Sequence, residues 1–259
     1  MIAVETILVA FAMFSALPVP QPVWNERNMR YSLCAFPLIG VICGGLWWAW
    51  SAVCACFPVP DFLRGAGLCL LPVFLTGGIH LDGFADTCDA LASCASPEKK
   101  QEILKDPRCG AFAVIRLCCY FITYFALCTA VRPDRQAVWC MGLAFILERA
   151  LSGLAVSRFP LAKNTGLAHT FATAAAQKTV GRVLLAVCVL TGGGMVAAGS
   201  LTGAVMLATG LFAFWRYRIT AERQFSGISG DLAGWFLQRA ELWMLAALTA
   251  CQLVEEALS

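Results

Sequence analysis

Charge is scarce in this 259-residue chain. Asp, Glu, Lys and Arg together make up 14%, where an average soluble domain carries roughly 25%. Too few polar residues remain to cover a core of this size, which excludes an ordinary cytosolic globular enzyme. A disordered tail and a coiled coil are excluded on the same ground. An excess of one sign is also missing. Nineteen basic residues against 16 acidic ones leave a net charge of +3. No basic stripe with interleaved aromatics appears, so nucleic acid is not expected as a partner. Histidine is nearly absent. His80 and His169 lie far apart and no C-x-x-C pair accompanies them, which argues against a structural zinc site. No basic segment precedes the apolar N-terminus, which holds Glu5, so a cleaved signal peptide is not expected. No repeat, low-complexity stretch or long linker divides the chain, and a single domain over residues 1–259 is expected.

What is abundant is apolar. Hydrophobic residues make up 59% of the chain, and its mean hydropathy is +0.73. About 20 apolar residues cross a bilayer. Apolar stretches fall at 2–17, 33–58, 65–80, 111–131, 137–157, 183–199, 201–215 and 240–254. The first is short and could lie in the interface. The expected fold is an all-α polytopic membrane helical bundle of about seven or eight transmembrane segments. The adjoining pair at Gly199-Ser200 reads as a tight helical hairpin. Cysteines such as Cys54, Cys56, Cys118, Cys119 and Cys140 sit inside apolar runs and read as small hydrophobes.

The few charges are unevenly placed. Segments 18–32, 81–110, 158–182 and 216–239 hold 14 of the 19 basic residues. With eight crossings all four fall on one side. The positive-inside rule makes that side cytoplasmic. The expected location is the inner (plasma) membrane, with the active site facing the cytoplasm.

The acidic residues carry the chemical signal. Asp82, Asp86 and Asp89 stand at i, i+4 and i+7, which puts three carboxylates within about 60° on one helix face. Three like charges near a membrane repel and are costly. A divalent cation would neutralise them. All-oxygen ligands suit Mg²⁺ or Mn²⁺, and Mg²⁺ commonly brings a phosphate substrate. A solvated acidic face is the plainer reading, but the segment follows an apolar run and is otherwise apolar.

Glu102, Lys105, Asp106 and Arg108 form a second group, in which Lys105 and Arg108 could hold phosphate oxygens. A third is Gly227-Ile228-Ser229-Gly230-Asp231-Leu232-Ala233-Gly234, a glycine-rich turn that permits close backbone approach to a ligand. Glu241 is either a ligand or the buried partner of an arginine. His80 could orient a phosphate or act as a base, or be a structural residue at a span end. Arg149, beside Glu148, is an intramembrane arginine that either binds or fastens helices.

These residues resemble a known family, cobalamin synthase, the adenosylcobinamide-GDP ribazoletransferases. Thr76-Gly77-Gly78-Ile79-His80-Leu81-Asp82-Gly83-Phe84-Ala85-Asp86-Thr87-Cys88-Asp89 is similar to the family's G-G-x-H-L-D-G-x-x-D-x-x-D signature. Lys105-Asp106-Pro107-Arg108-Cys109-Gly110 is similar to its K-D-x-R-x-G segment, and Ser229-Gly230-Asp231 to its T/S-G-D. Leu17-Pro18-Val19-Pro20, Phe36-Pro37-Leu38-Ile39-Gly40, Arg149 and Gly166-Leu167 also fit. Pro107, Ala90 and Gln238 depart from the pattern, the last standing where a glutamate is expected.

The resemblance implies transfer of a cobinamide phosphoryl group from adenosylcobinamide-GDP to α-ribazole or its 5′-phosphate, with GMP leaving. It implies Mg²⁺ as cofactor, held among Asp82, Asp86, Asp89, Asp106 and Asp231. His80, Asp82, Lys105 and Arg108 would be catalytic, and Gly230 and Arg149 would be cofactor-binding. The proton acceptor is left open between a carboxylate and His80. Membrane lipid is an expected partner, and a homo-oligomer is compatible. A CDP-alcohol phosphotransferase shares the Mg²⁺-aspartate logic, but Asp82-Gly83 followed by Asp86 does not fit its D-x-x-D-G-x-x-A-R order. An ion-coupled transporter would need its acids mid-span, and here they cluster at span ends.

Overall fold

Inside a bilayer every backbone N–H and C=O must be satisfied within its own segment, so apolar runs of this length become helices. The computed structural model describes residues 2–162 and 166–259. Lys163, one of the basic residues counted above, lies outside them. The helices are α1 (Ile2–Phe14), α2 (Glu26–Met29), α3 (Ser32–Cys56), α4 (Asp61–Thr76), α5 (Ile79–Ala92) and α6 (Pro97–Ile103). They continue with α7 (Ala111–Ala130), α8 (Arg135–Arg158), α9 (Leu167–Ala174), α10 (Gln177–Phe225) and α11 (Gly230–Leu258). Among the described residues the only β-pairing is one isolated bridge, Leu161 to Ile228.

By length and composition α3, α7, α8 and α10 can each cross a membrane, and α4 with α5 makes a fifth if the bent pair counts as one span. Seven or eight were expected. The gap has physical reasons. α1 has only 13 residues. α11 carries Asp231, Arg239 and Glu241 in its first half. α10 is one hydrogen-bonded element of 49 residues but not one rod. Ser200 breaks it at φ 45°, ψ −118°. Beyond that point the chain folds back, so that a Cβ on Gly203 would strike the Met195 carbonyl and one on Gly192 would touch Leu207 at 3.1 Å. These pairs would be far apart along a straight helix rising 1.5 Å per residue. The hairpin expected at Gly199-Ser200 is therefore present.

The other break shapes the site. α4 ends and α5 begins at Gly77 and Gly78, both left-handed at φ 64° and 78°. Only glycine takes two such positions in succession without strain. The axes of α4 and α5 differ by 94°, so α5 turns away from α4 and packs against α11 and α7.

The two ends of the bundle divide as the charges suggested. At one end the Ala176 N–H donates to the Arg30 carbonyl at 3.1 Å, and the Ile228 N–H to the Pro160 carbonyl at 2.9 Å. Lys100 meets Gln224 at 2.5 Å, and the Gln101 amide donates to the Phe225 carbonyl at 2.6 Å. These contacts join all four basic segments. At the other end Arg64 caps the carbonyls of Thr129 and Val131, and Arg132 exchanges hydrogen bonds with Gln252. There too Gln136 donates to the hairpin carbonyl of Gly199 at 3.0 Å. Between the ends α8 is the enclosed centre, packed on α3, α10 and α11.

Candidate active site

α5 and the start of α11 cross almost backbone to backbone. A Cβ on Gly83 would come within 2.8 Å of the Asp231 Cα and carbonyl oxygen. One on Gly234 would come within 2.8 Å of the His80 carbonyl oxygen. Any larger residue at either glycine would push the helices apart. This crossing brings together carboxylates about 140 residues apart in sequence. Asp82, Asp231 and Asp89 are the charged neighbours of Asp86. Asp231 stands in the first turn of α11, where Ser229 caps the helix by accepting from the Leu232 N–H at 3.3 Å. The Ser229 hydroxyl also donates to the Asp231 carboxylate at 3.4 Å.

Asp89 points at Gly110, the residue that opens α7, and a Cβ there would collide with both carboxylate oxygens. Asp82, Asp86 and Asp89 form no ion pair among the described residues. The donor set is all carboxylate oxygen, the hard chemistry that Mg²⁺ takes. Among the described residues no three such side chains close to bonding range of a single point.

In the second group Lys105, Asp106 and Arg108 lie on the connection between α6 and α7. Arg108 grips Asp106 with Nε and Nη2 at 2.9 and 2.7 Å, and its backbone N–H adds a third contact at 3.1 Å. Those hydrogen bonds hold the Asp106 carboxyl down to about 2. Asp106 was expected among the metal ligands; here its oxygens are taken up by Arg108. Lys105 is exposed beside them, and the Arg108 side chain is 86% exposed.

His80 and Asp82 line a cavity of about 290 Å³ with Gly230 and Asp231. Its apolar wall was not anticipated: Phe14 from α1, Phe36 from α3 and Phe171 from α9. No periodicity marks these three, which come from separate helices. Phe36 does fall inside the Phe36-Pro37-Leu38-Ile39-Gly40 motif, the one available signal.

Arg149 does not line this cavity. It is buried in α8, bound to Glu148 at 2.6 Å and to the Phe145 carbonyl at 2.9 Å. Glu241 of α11 is buried beside it, interacting with Arg149, Tyr124 and Glu148. The ion-pair partner of Arg149 is Glu148, and Glu241 is a buried neighbour of that pair. Gly166 takes φ 89° before α9.

The sequence profile of the cobalamin-5-phosphate synthase family matches residues 6–249. The chain belongs to the cobalamin-5-phosphate synthase family. Every residue discussed at this site lies inside the matched span. An adenosylcobinamide-GDP ribazoletransferase of Lachnoclostridium phytofermentans is 40% identical over 238 residues, covering 92% of this chain and 90% of that one. A protein of the same name from Geobacillus kaustophilus is 30% identical over 249 residues, with coverage of 91% and 92%. A third, from Clostridium botulinum, is 28% identical, with coverage of 91% and 93%. No solved structure matches this chain.

Proposed function

We propose that this multi-pass membrane protein is an adenosylcobinamide-GDP ribazoletransferase of late cobalamin biosynthesis. A ribose hydroxyl of α-ribazole, or of its phosphate, attacks the phosphorus attached to the cobinamide. The bond from that phosphorus to the GMP oxygen breaks, and GMP leaves. The observation that carries this reading is the crossing of α5 and α11, which sets Asp82 and Asp231 on one cavity and Asp86 beside them. The family membership and the names of the relatives point to the same reaction.

Phosphoryl transfer is mostly positioning and charge neutralisation. Mg²⁺ would be held by Asp82, Asp86 and Asp231 with Asp89 beside them, and when bound it would neutralise the diphosphate and the leaving oxygen. Closing the carboxylates to bonding range takes side-chain rotation, which the exposed position of Asp82 allows. One carboxylate of this group takes the hydroxyl proton. Lys105 and Arg108 stand on the exposed connection between α6 and α7, free to meet the diphosphate or the departing GMP. Arg108 would then exchange its grip on Asp106 for phosphate oxygens, a bidentate swap its fork allows. The basic end faces the cytoplasm, across the inner membrane, so water-soluble substrates reach the carboxylates directly.

Membranes carrying the protein, supplied with adenosylcobinamide-GDP, α-ribazole and Mg²⁺, are expected to form cobalamin product and equimolar GMP. Asp82→Ala should abolish turnover and leave membrane insertion unchanged. CDP-alcohol transfer without cobalamin product from the intact protein would overturn the reading, and full activity of Asp82→Ala would overturn the metal assignment.

A further inference from the structure

We infer that the cavity beside the carboxylates is a slot for the flat aromatic base of the acceptor, and that His80 recognises its one free ring nitrogen. This rests on the ribazole-transfer reading above and names the subsite within it.

Size and wall chemistry come first. A cavity of about 290 Å³ is near the lower end of the range for small-molecule pockets, roughly 300–1,000 Å³. A fused two-ring base fits, whereas a corrinoid does not. The rings of Phe171, Phe14, Phe36 and His80 follow one another at centroid separations of 5.4, 4.5 and 5.8 Å. Such a run of ring faces and edges is a surface on which a planar aromatic packs. Leu33 and Leu237 add aliphatic wall beside the rings.

One polar group in that lining stands out. Among the described residues the Nε2 of His80 is buried without a hydrogen-bond partner, and the residue is only 5% exposed. Buried polar nitrogens are almost always satisfied, because leaving one without a partner is costly. Nε2 is closed off from the empty cavity, so the ring must turn to present it, and a ligand atom then resolves the cost. Neutral imidazole with its proton on Nε2 donates a single hydrogen bond.

The two bases in the reaction differ in what they would ask of this slot. The dimethylbenzimidazole of ribazole has one unsubstituted ring nitrogen, a lone acceptor, and is otherwise hydrocarbon. The guanine of the donor carries several donors and acceptors along two edges. Against phenylalanine and leucine walls most of these would be stranded. Along the ring-lined wall one orphan donor matches the first base, while Asp82, Asp231 and Ser152, the polar side chains elsewhere in the lining, are left to the ribose. Asp82 and Asp231 line the same cavity, so a base seated on the rings turns its ribose toward the carboxylates, where the hydroxyl must react. His80 is thus a recognition residue for the acceptor, leaving proton removal to a carboxylate.

The test is a cycle between ligand and protein, read by equilibrium binding to the full-length protein in lipid nanodiscs. The ligands are α-ribazole, its dimethylindole counterpart, in which the free ring nitrogen is replaced by C–H, and GMP. Wild type should prefer ribazole over the indole analogue by about tenfold. His80→Ala should erase that ratio and leave GMP binding unchanged. An undiminished ratio in His80→Ala, or an equal loss of GMP and ribazole binding, overturns the slot. A second variant keeps the question open to experiment if His80→Ala fails to fold. A Cβ at Gly230 meets nothing within 4 Å, so Gly230→Leu brings bulk to the cavity lining with no clash at its Cβ. It should weaken ribazole binding at least tenfold, and no change in ribazole affinity would count against the slot. Absence of any ribazole transfer by wild type overturns the proposed function itself, whereas transfer with an undiminished ratio overturns only this assignment.

Discussion

Asp86 is the residue on which the acidic site turns. It is half-buried on α5, with Asp82 and Asp89 on its own helix and Asp231 arriving from α11. Without a counter-ion these charges repel one another across a helix crossing that glycines have already closed. The crossing is therefore expected to be under electrostatic load in the metal-free protein and relieved by a bound cation. Ligand that binds only the folded form raises its stability by mass action. Mg²⁺ should raise the thermal midpoint of the purified wild-type protein by a few degrees. Asp86→Asn should itself raise the metal-free midpoint and should respond little to Mg²⁺. Differential scanning fluorimetry in detergent measures both, and a variant that still gains the full Mg²⁺ shift would remove Asp86 from the ligand set. Asp106 behaves differently because its charge is already answered by Arg108. That distinction was not legible in sequence. Asp106 sits at i+4 from Glu102, the same spacing as Asp82 and Asp86, and nothing in spacing alone says that Arg108 will fold back on it.

Helix pairs, more than single residues, set the precision of this fold. α3 and α8 meet through Gly40 and Gly44, and a Cβ on Gly44 would lie 2.8 Å from the Gly142 Cα. Membrane helices gain little hydrophobic energy from meeting in lipid, so close backbone approach and van der Waals packing hold them. Gly45, one position on, has open space where its Cβ would be. Gly44→Ala should therefore destabilise the bundle by about 1–3 kcal/mol through overpacking. Gly45→Ala should be neutral or slightly stabilising, since alanine is the better helix former. Thermal or denaturant midpoints of the two variants side by side decide this, and equal losses would contradict the seam. The spacing of Gly40 and Gly44 was visible in the sequence as small residues four apart. Which helix they would meet was not, because the partner is set by three-dimensional packing about 100 residues away. The same holds for the site. The i, i+4, i+7 face of Asp82, Asp86 and Asp89 was legible because helical periodicity is local. The union of that face with Asp231 depends on Gly83 and Gly234, whose role appears only when the helices cross. The phenylalanine wall of the cavity comes from three more helices and left no periodic trace.

At the scale of the whole molecule, the placement of a few charges foretold how the chain is divided between its two ends. Residues from all four basic segments meet through Arg30, Lys100, Gln101 and Ile228 at the end that carries the carboxylates. Among the described residues the basic side chains at the opposite end are those of Arg64, Arg132 and Arg135. Sequence could give this because the sidedness of a span depends on the summed charge of its flanks, which needs no knowledge of packing. It could not give the broken helix at Gly77-Gly78, since an apolar run followed by an acidic one reads equally well as a span and a loop. Three exposed cysteines now make the orientation measurable. Cys94 and Cys109 lie at the basic end, and Cys56 closes α3 at the other. In chains retaining one of these three and alanine at the remaining cysteines, a membrane-impermeant maleimide should label Cys56 in intact cells. Cys94 and Cys109 should react only after the membrane is opened. The reverse pattern would put the carboxylates outside the cell. Substrates made in the cytoplasm could then not reach them, and the proposed reaction would lose its access route even with every site residue in place.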